Sequence, residues 1–379
     1  MRIGTSTDDV RRRNLSVVLT LVHRHRLLSR ADLTRRTGLS RSTVKALVEE
    51  LAGAGLVEEV EAGAPSQVGR PSPIVRPQAR TLAVAVNPEV DAITIGLVAL
   101  GGRVLAMKRR PTAGIPSAAE TVTVAARAIA GMRRALDPGC SIDAIGVAVP
   151  GLVHASDKTV QLAPHLDWHD ESIGQMLSAA TGLPVFAVND ANAGAIAEHI
   201  FGSHLDPDHM IYVNGGASGI GAGFVVAGEL LEGAAGYAGE LGHTFVGGVG
   251  LCHCGRTGCL ETEVSQAQIS AAGAGTKSII VERQAQYLGI ALGNAINMLN
   301  PQLIVLGGFL REIPELAPQT LLDAVARHSL RGPNDMVRIV PASLGAETLM
   351  IGAAELAFAP LLSDPAGDHQ RIDGDNAVR

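Results

Sequence analysis

"GHTFVGGVGLCHCGRTGCLE" spans Gly242–Glu261 and holds Cys252, Cys254 and Cys259, three of the four cysteines in the chain. A Cys-x-Cys-x₄-Cys cluster on tight glycine turns offers three soft ligands within eight residues. Zinc takes four tetrahedral ligands, and three cysteines with one histidine are a common structural set. Two histidines stand nearby for the fourth place, His253 and His243. His253 lies between two of the proposed ligands, where its side chain is directed away, so His243 is preferred. Four protein ligands close the shell, which disfavours a zinc hydrolase with an open metal position. Thiolates held by zinc are also poor redox or nucleophilic groups. Cys140 stands without partners before a strand and reads as packing.

Outward from this loop, the composition sets the frame. A chain of 379 residues is too long for one ordinary domain. Hydrophobic content of 46% is ample for folded cores, and 3% aromatics means those cores are built from Ala, Val, Leu and Ile. No apolar run of eighteen residues suggests a membrane span, and "MRIGTSTDDVRRRN" has no signal-peptide texture. Few, undispersed cysteines suit a reducing, cytoplasmic setting. Charge is uneven: residues 1–80 carry 14 Lys+Arg against 8 Asp+Glu, and the remainder 17 against 29. A basic head on an acidic body implies that one end meets a polyanion.

The head reads as three short helices. "NLSVVLTLVHRH" places Leu15, Val18, Leu19 and Val22 on one face. Ser29 with Asp32 caps a second helix that stops at Gly38, and Ser40 caps a third that ends at Gly53 or Gly55. Two short strands and a proline-rich linker at 62–80 follow. From Thr81 strands and helices alternate twice, which predicts two α/β lobes facing a cleft. The expected division is 1–76 for head and linker, 77–190 and 191–365 for the lobes, and 366–379 for a polar, disordered tail.

"GELGH" followed by "CHCGRTGCLE" closely resembles the signature of the ROK family of repressors, open reading frames and sugar kinases. So do "VAVPGLV" (147–153), "VNDANAGAIAE" (188–198), "GGASGIGAG" (215–223), "NPQLIVLGG" (300–308) and "LGAETLMIGAAELA" (344–357), in the family's order. The resemblance runs from about Thr81 to Pro365. It implies an actin-like, hexokinase-like fold with a sugar in the interlobe cleft. By the same resemblance, Asn189, Glu240, Glu261 and the backbone around Gly151 hold sugar hydroxyls. Asp190 matches the catalytic base, and His243 joins Cys252, Cys254 and Cys259 on zinc while facing the sugar with its other nitrogen. Convergent carboxylates and amides suit this task, because a buried partner left unmatched is costly.

The sequence departs from the family's enzymes at one place. Their Asp-x-Gly-Gly-Thr phosphate loop aligns with Asn87–Asp91, where Glu89 and Val90 replace both glycines. The change adds bulk, removes an N–H at Pro88 and brings two carboxylates where polyphosphate would sit. Asp190 is then a vestigial base that accepts a hydroxyl. In "QLAPHLDW", His165 stands where relatives often carry asparagine.

Residues 14–60 resemble the winged helix-turn-helix of the family's repressor branch. Arg41, Ser42, Thr43 and Lys45 open its third helix and are the groove-contacting set, with Arg35 and Arg36 near the DNA backbone. Arg70 in "VGRP" is a further minor-groove candidate, a tight wing turn being the equal alternative. The expectation is a sugar-responsive regulator, more specifically a repressor, binding operator DNA as a homodimer or homotetramer without enzymatic activity. The alternative is an active sugar kinase with a DNA-binding head.

Overall fold

The computed structural model describes residues 6–61, 72–204, 207–273, 275–367 and 372–373. The head contains α1 (Thr7–His25), α2 (Arg30–Thr37) and α3 (Arg41–Gly53). Each helix starts where a serine hydroxyl can accept from an otherwise unpaired N–H: Ser6, Ser29 and Ser40. Asp9 and Asp32 complete capping boxes at the first two, and Gly38 ends α2 at φ +71°. Strands β1 (Val57–Val60) and β2 (Ile74–Pro77) pair antiparallel, and Leu28–Ser29 joins the free edge of β2 to form a wing. Arg70 lies outside the described residues.

The first lobe carries β3 (Thr81–Pro88), β4 (Ala92–Ala99), β5 (Arg103–Pro111), α4 (Ala118–Arg134), β6 (Ser141–Val149), α5 (Ile173–Thr181) and β7 (Val185–Asn189). Its sheet order is β7-β6-β3-β4-β5, with β7, β6 and β3 parallel. The second lobe repeats the plan with α6 (Asp190–Phe201), β8 (Met210–Gly216), β9 (Gly219–Val226), α7 (Lys277–Leu299), β10 (Leu303–Gly308) and β11 (Arg338–Pro341). Here β8 is antiparallel to β9 and parallel to β10, which is parallel to β11. This is the two-lobed actin-like architecture expected from the sequence.

The last helix, α9 (Thr348–Ser363, after α8 at Pro318–His328), departs from the sequence division. It follows the second lobe along the chain, yet it returns to pack on the sheet of the first. A Cβ at Gly146 on β6 would stand 1.7 Å from the Ala353 carbonyl oxygen. On the other side of α9, a Cβ at Gly352 would stand 1.8 Å from the Ala193 oxygen of α6. Only glycine permits approaches this close, so α9 is wedged between β6 and α6. Together with the helical turn before it, Gly345–Ser363 is long and apolar enough to cross a membrane by composition, but Ala353, Ala354 and Phe358 are fully buried core residues.

Helix α1 lies on α9 in turn. Val18 and Val22 share one core with Phe358 and Leu361, and Ser16 Oγ donates to the Leu362 oxygen at 2.7 Å. In the stretch expected to be a disordered tail, Ile372 and Asp373 pair antiparallel with Ile142 and Ser141 of β6.

Candidate functional site

Phe245 and Leu251 bridge to Cys259 and Thr257, folding the cysteine loop back on itself. Gly255 and Gly258, both at positive φ, make its turns. One ligand atom each from His243, Cys252, Cys254 and Cys259 lies within 4.8 Å of the others. Cys252 Sγ is 3.5 Å from His243 Nδ1, and Cys254 Sγ is 3.7 Å from Cys259 Sγ. A tetrahedral ion bonded at about 2.3 Å to sulfur and about 2.0–2.1 Å to nitrogen requires separations of about 3.5 Å (S···N) and about 3.8 Å (S···S). The four side chains therefore fit a metal ion. His253 is turned away from the cluster, its ring packed edge-on against His165 with centroids 4.6 Å apart.

The interlobe cavity is about 580 Å³, and Gly151, Asn189, Asp190, Glu240, His243 and Glu261 all line it. Asn189 ends β7 and caps α6: its oxygen accepts from Ala191 and Asn192, while Nδ2 donates to the Gly151 oxygen at 3.0 Å. Asp190 follows in the first turn of α6. Burial, assisted by the nearby Glu240 charge, pushes its carboxyl up to about 7. Burial raises Glu240 as well. His243 reaches both ways, with Nδ1 toward Cys252 and Nε2 3.8 Å from Glu240 Oε2. Glu261 accepts from the Cys252 thiol at 2.9 Å and lies 3.5 Å from His243 Nδ1.

The cleft also holds residues that the sequence reading did not assign to it: His169, His253, Asn214 and Arg256. Asn214 comes from the end of β8, just before the glycine-rich turn, where its side chain accepts from the Tyr212 hydroxyl at 3.3 Å and slightly lowers the neighbouring Asp190 carboxyl. The available signal was its place in "YVNGG", a polar side chain at a strand's carboxyl end. Arg256 Nε is engaged by Cys254 Sγ at 3.5 Å.

The turn that replaces the phosphate loop is tied down by its own side chains. Asn87 Nδ2 donates to the Ala148 oxygen at 2.8 Å, a bond a carboxylate cannot supply. Glu89 N–H donates across the turn to the Ala92 oxygen. Glu89 Oε2 accepts from Thr94 Oγ1 at 2.9 Å, and Arg109 bridges Glu89 at 3.3 Å and Asp91 at 2.5 Å.

In the head, Arg41, Ser42 and Lys45 are exposed on the first turns of α3, with Thr43 half-buried beside them. Lys45 pairs with Glu49 at 3.6 Å, and the Ser42 and Thr43 hydroxyls lie within hydrogen-bond reach of Ser40 Oγ. Arg35 pairs with Asp32, and Arg36 contacts His25 Nε2 at 2.9 Å. Arg41 makes no ion pair among the described residues.

The model of the ROK family matches residues 83–359. The chain belongs to the ROK family. The xylose repressor of Bacillus subtilis (strain 168) is 27% identical over 92% of this chain and 96% of its own. The DNA-binding transcriptional dual regulator NagC of Escherichia coli (strain K12) is 26% identical over 94% and 95%. A glucokinase of Streptomyces coelicolor is 29% identical but covers only 74% of this chain, although 98% of its own. Among solved structures, a ROK family transcriptional regulator, homolog of the E. coli MLC protein, superposes at TM-score 0.74 with 25% identity, over 93% of this chain and 97% of that one. The ROK glucokinase of Streptomyces griseus, solved with glucose and AMPPNP, gives 0.63 with 26% identity, over 73% and 98%. Both repressors and kinases are therefore relatives of this chain, and the regulators extend over the head as well.

Proposed function

We propose that this protein is a cytoplasmic, sugar-responsive transcriptional repressor whose kinase-like body binds a sugar and no longer transfers phosphate. One observation carries the reading: α6 begins with the cleft residues Asn189 and Asp190 and ends with Phe201 against the head. The Phe201 ring lies 5.3 Å, centroid to centroid, from that of His23 on α1, and the Arg26 guanidinium stands 4.9 Å above it. Twelve helical residues, about 18 Å, thus separate the sugar floor from the seat of the DNA reader.

A sugar in the cleft is held by Asn189, Asp190, Glu240 and Glu261, with the Gly151 backbone at the wall. His243 is oriented by its metal bond, which fixes the tautomer of the nitrogen facing the sugar. Zinc is the ion that suits one imidazole and three thiolates, and in this closed shell it organises the wall of the pocket. Arg41, Ser42, Thr43 and Lys45 enter the major groove, and Arg35 and Arg36 flank the phosphates. Two heads in a homodimer or homotetramer read half-sites about 34–36 Å apart or multiples of that. Ligand shifts operator affinity only through its differential affinity for the two head arrangements.

Loss of phosphotransfer follows from the Asn87–Asp91 turn. Its Glu89 N–H is consumed, Pro88 has none, and Glu89 adds a carboxylate to the cleft wall. The test pairs fluorescence anisotropy on duplexes selected in vitro by the protein, with and without a sugar panel, with a phosphotransfer assay using ATP and Mg²⁺. A sugar that changes duplex affinity without sugar phosphate formation is expected. Robust phosphate transfer, or no sugar effect on DNA, would sink the reading.

A further inference from the structure

A second cavity, of about 570 Å³, opens beyond the sugar cleft. The two share a wall, since His165, Gly216, Ala217, Gly219, His253 and Glu261 line both. His165 comes from the first lobe and His253 from the metal loop, so their edge-on contact spans the lobes. At Gly219, held at φ +96°, a Cβ would stand 2.5 Å from Glu261 Oε2. A side chain at Gly219 would therefore press on both Glu261 and His165, whose Nε2 would stand 3.3 Å away, at the wall common to the two cavities. Each cavity falls within the size of pockets that enclose small molecules, about 300–1,000 Å³.

The far walls of the second cavity have a distinct chemistry. Ser265, Gln266 and Ser270 supply two hydroxyls and an amide, none with a side-chain hydrogen-bond partner among the described residues. Phe309 and Leu251 supply an apolar surface, and Leu251 is 76% exposed although it sits on a structured turn. No lysine or arginine lines this cavity among the described residues, while Glu261 contributes a carboxylate. Polyphosphate entering here would meet negative charge and no cation. Neutral hydroxyl groups meet amides and hydroxyls free to pair with them, and a ring's C–H face meets Phe309 and Leu251.

We propose that this cavity receives the second glycosyl unit of a neutral disaccharide or longer saccharide, whose first unit occupies the cleft at Asn189 and Asp190. The proposal rests on the sugar-responsive reading above and narrows its ligand to uncharged saccharides of at least two units. The paired His165 and His253 rings then lie together on one side of the glycosidic link and set which linkages fit.

Calorimetry on the full chain with matched ligands tests it: xylose against xylobiose, glucose against cellobiose and maltose, and adenosine and ATP alone. At least one disaccharide is expected to bind about tenfold or more tightly than its parent monosaccharide, a gain of about 1.4 kcal/mol. Ala267→Trp, which fills only the second cavity, should reduce that disaccharide to the affinity of its parent and leave the monosaccharide unchanged. Disaccharides no tighter than their parents in the wild-type protein overturn the proposal while leaving the sugar-responsive reading intact. So does adenosine binding that Ala267→Trp abolishes. Absence of binding by every saccharide overturns both.

Discussion

His23 Nε2 lies 2.9 Å from Glu355 Oε2, joining the head to the last helix with both side chains almost wholly withdrawn from solvent. The other ring nitrogen accepts from Gly101 N–H at 2.9 Å in the turn between β4 and β5. One imidazole thus ties together α1, α9 and the first sheet. Phe201 and Phe358 close over it edge-on.

Glu355→Ala leaves His23 buried without its carboxylate. The expected cost is about 3 kcal/mol, because an unpaired buried polar partner retains its desolvation penalty. Chemical denaturation measures this loss. Anisotropy titration should show that sugar still binds and changes operator affinity far less than in the wild type. An unchanged sugar response in the variant would remove this junction from the signalling path.

Cys254→Ser removes one of the four side chains proposed to hold the metal, at an exposed position of the loop. Elemental analysis is expected to show metal falling from about one equivalent per chain toward zero. Sugar affinity should fall with it, since His243 loses the bond that orients its ring. Full metal content in the purified variant would refute the site.

Arg41→Ala is expected to weaken duplex binding by about 1–3 kcal/mol. Sugar affinity should be unaltered, because Arg41 lies on α3 and lines neither cavity. Equal duplex affinity for variant and wild type would displace α3 from the groove.

Asp190 should give the sugar response a pH dependence. Its carboxyl sits at about 7 in the folded chain against an ordinary 3.8, raised by burial. The ionised form, proposed above as the acceptor of a sugar hydroxyl, gains population as pH rises from 6 to 8, and affinity should rise with it. Stability runs the other way: the favourable contribution of the neutral group is complete below pH 3.8 and is lost as pH passes about 7. Asp190→Asn should flatten the binding profile and weaken binding by about tenfold or more. Its Tm should gain on that of wild type between pH 5 and 8. A wild-type affinity independent of pH would show that the carboxylate does not touch the ligand.

The sequence was most legible where local rules act alone. Ser29, Asp32, Gly38 and Ser40 mark helix ends through hydrogen bonds within four residues, and the structure places those ends accordingly. The cysteine loop was equally readable, since its ligand spacing is set by its own turns. What escaped was long-range. Nothing near residue 350 says that α9 returns to the first sheet; Gly146 and Gly352 reveal it only once their neighbours are known. His23 falls at the helical repeat of Leu15 and Leu19, so its burial could have been read, whereas its partner lies 332 positions away. His253 likewise reaches the cleft through the fold of the metal loop against the first lobe, whereas Asn214 was marked only by its place at the carboxyl end of a strand.

The dependence of α1 on α9 bears on how the molecule is made. A ribosome delivers α1 well before α9, so Val18 and Val22 wait for the surface that Phe358 and Leu361 supply. A chain that stops short of α9 would carry α1, α2 and α3 without the surface on which α1 rests.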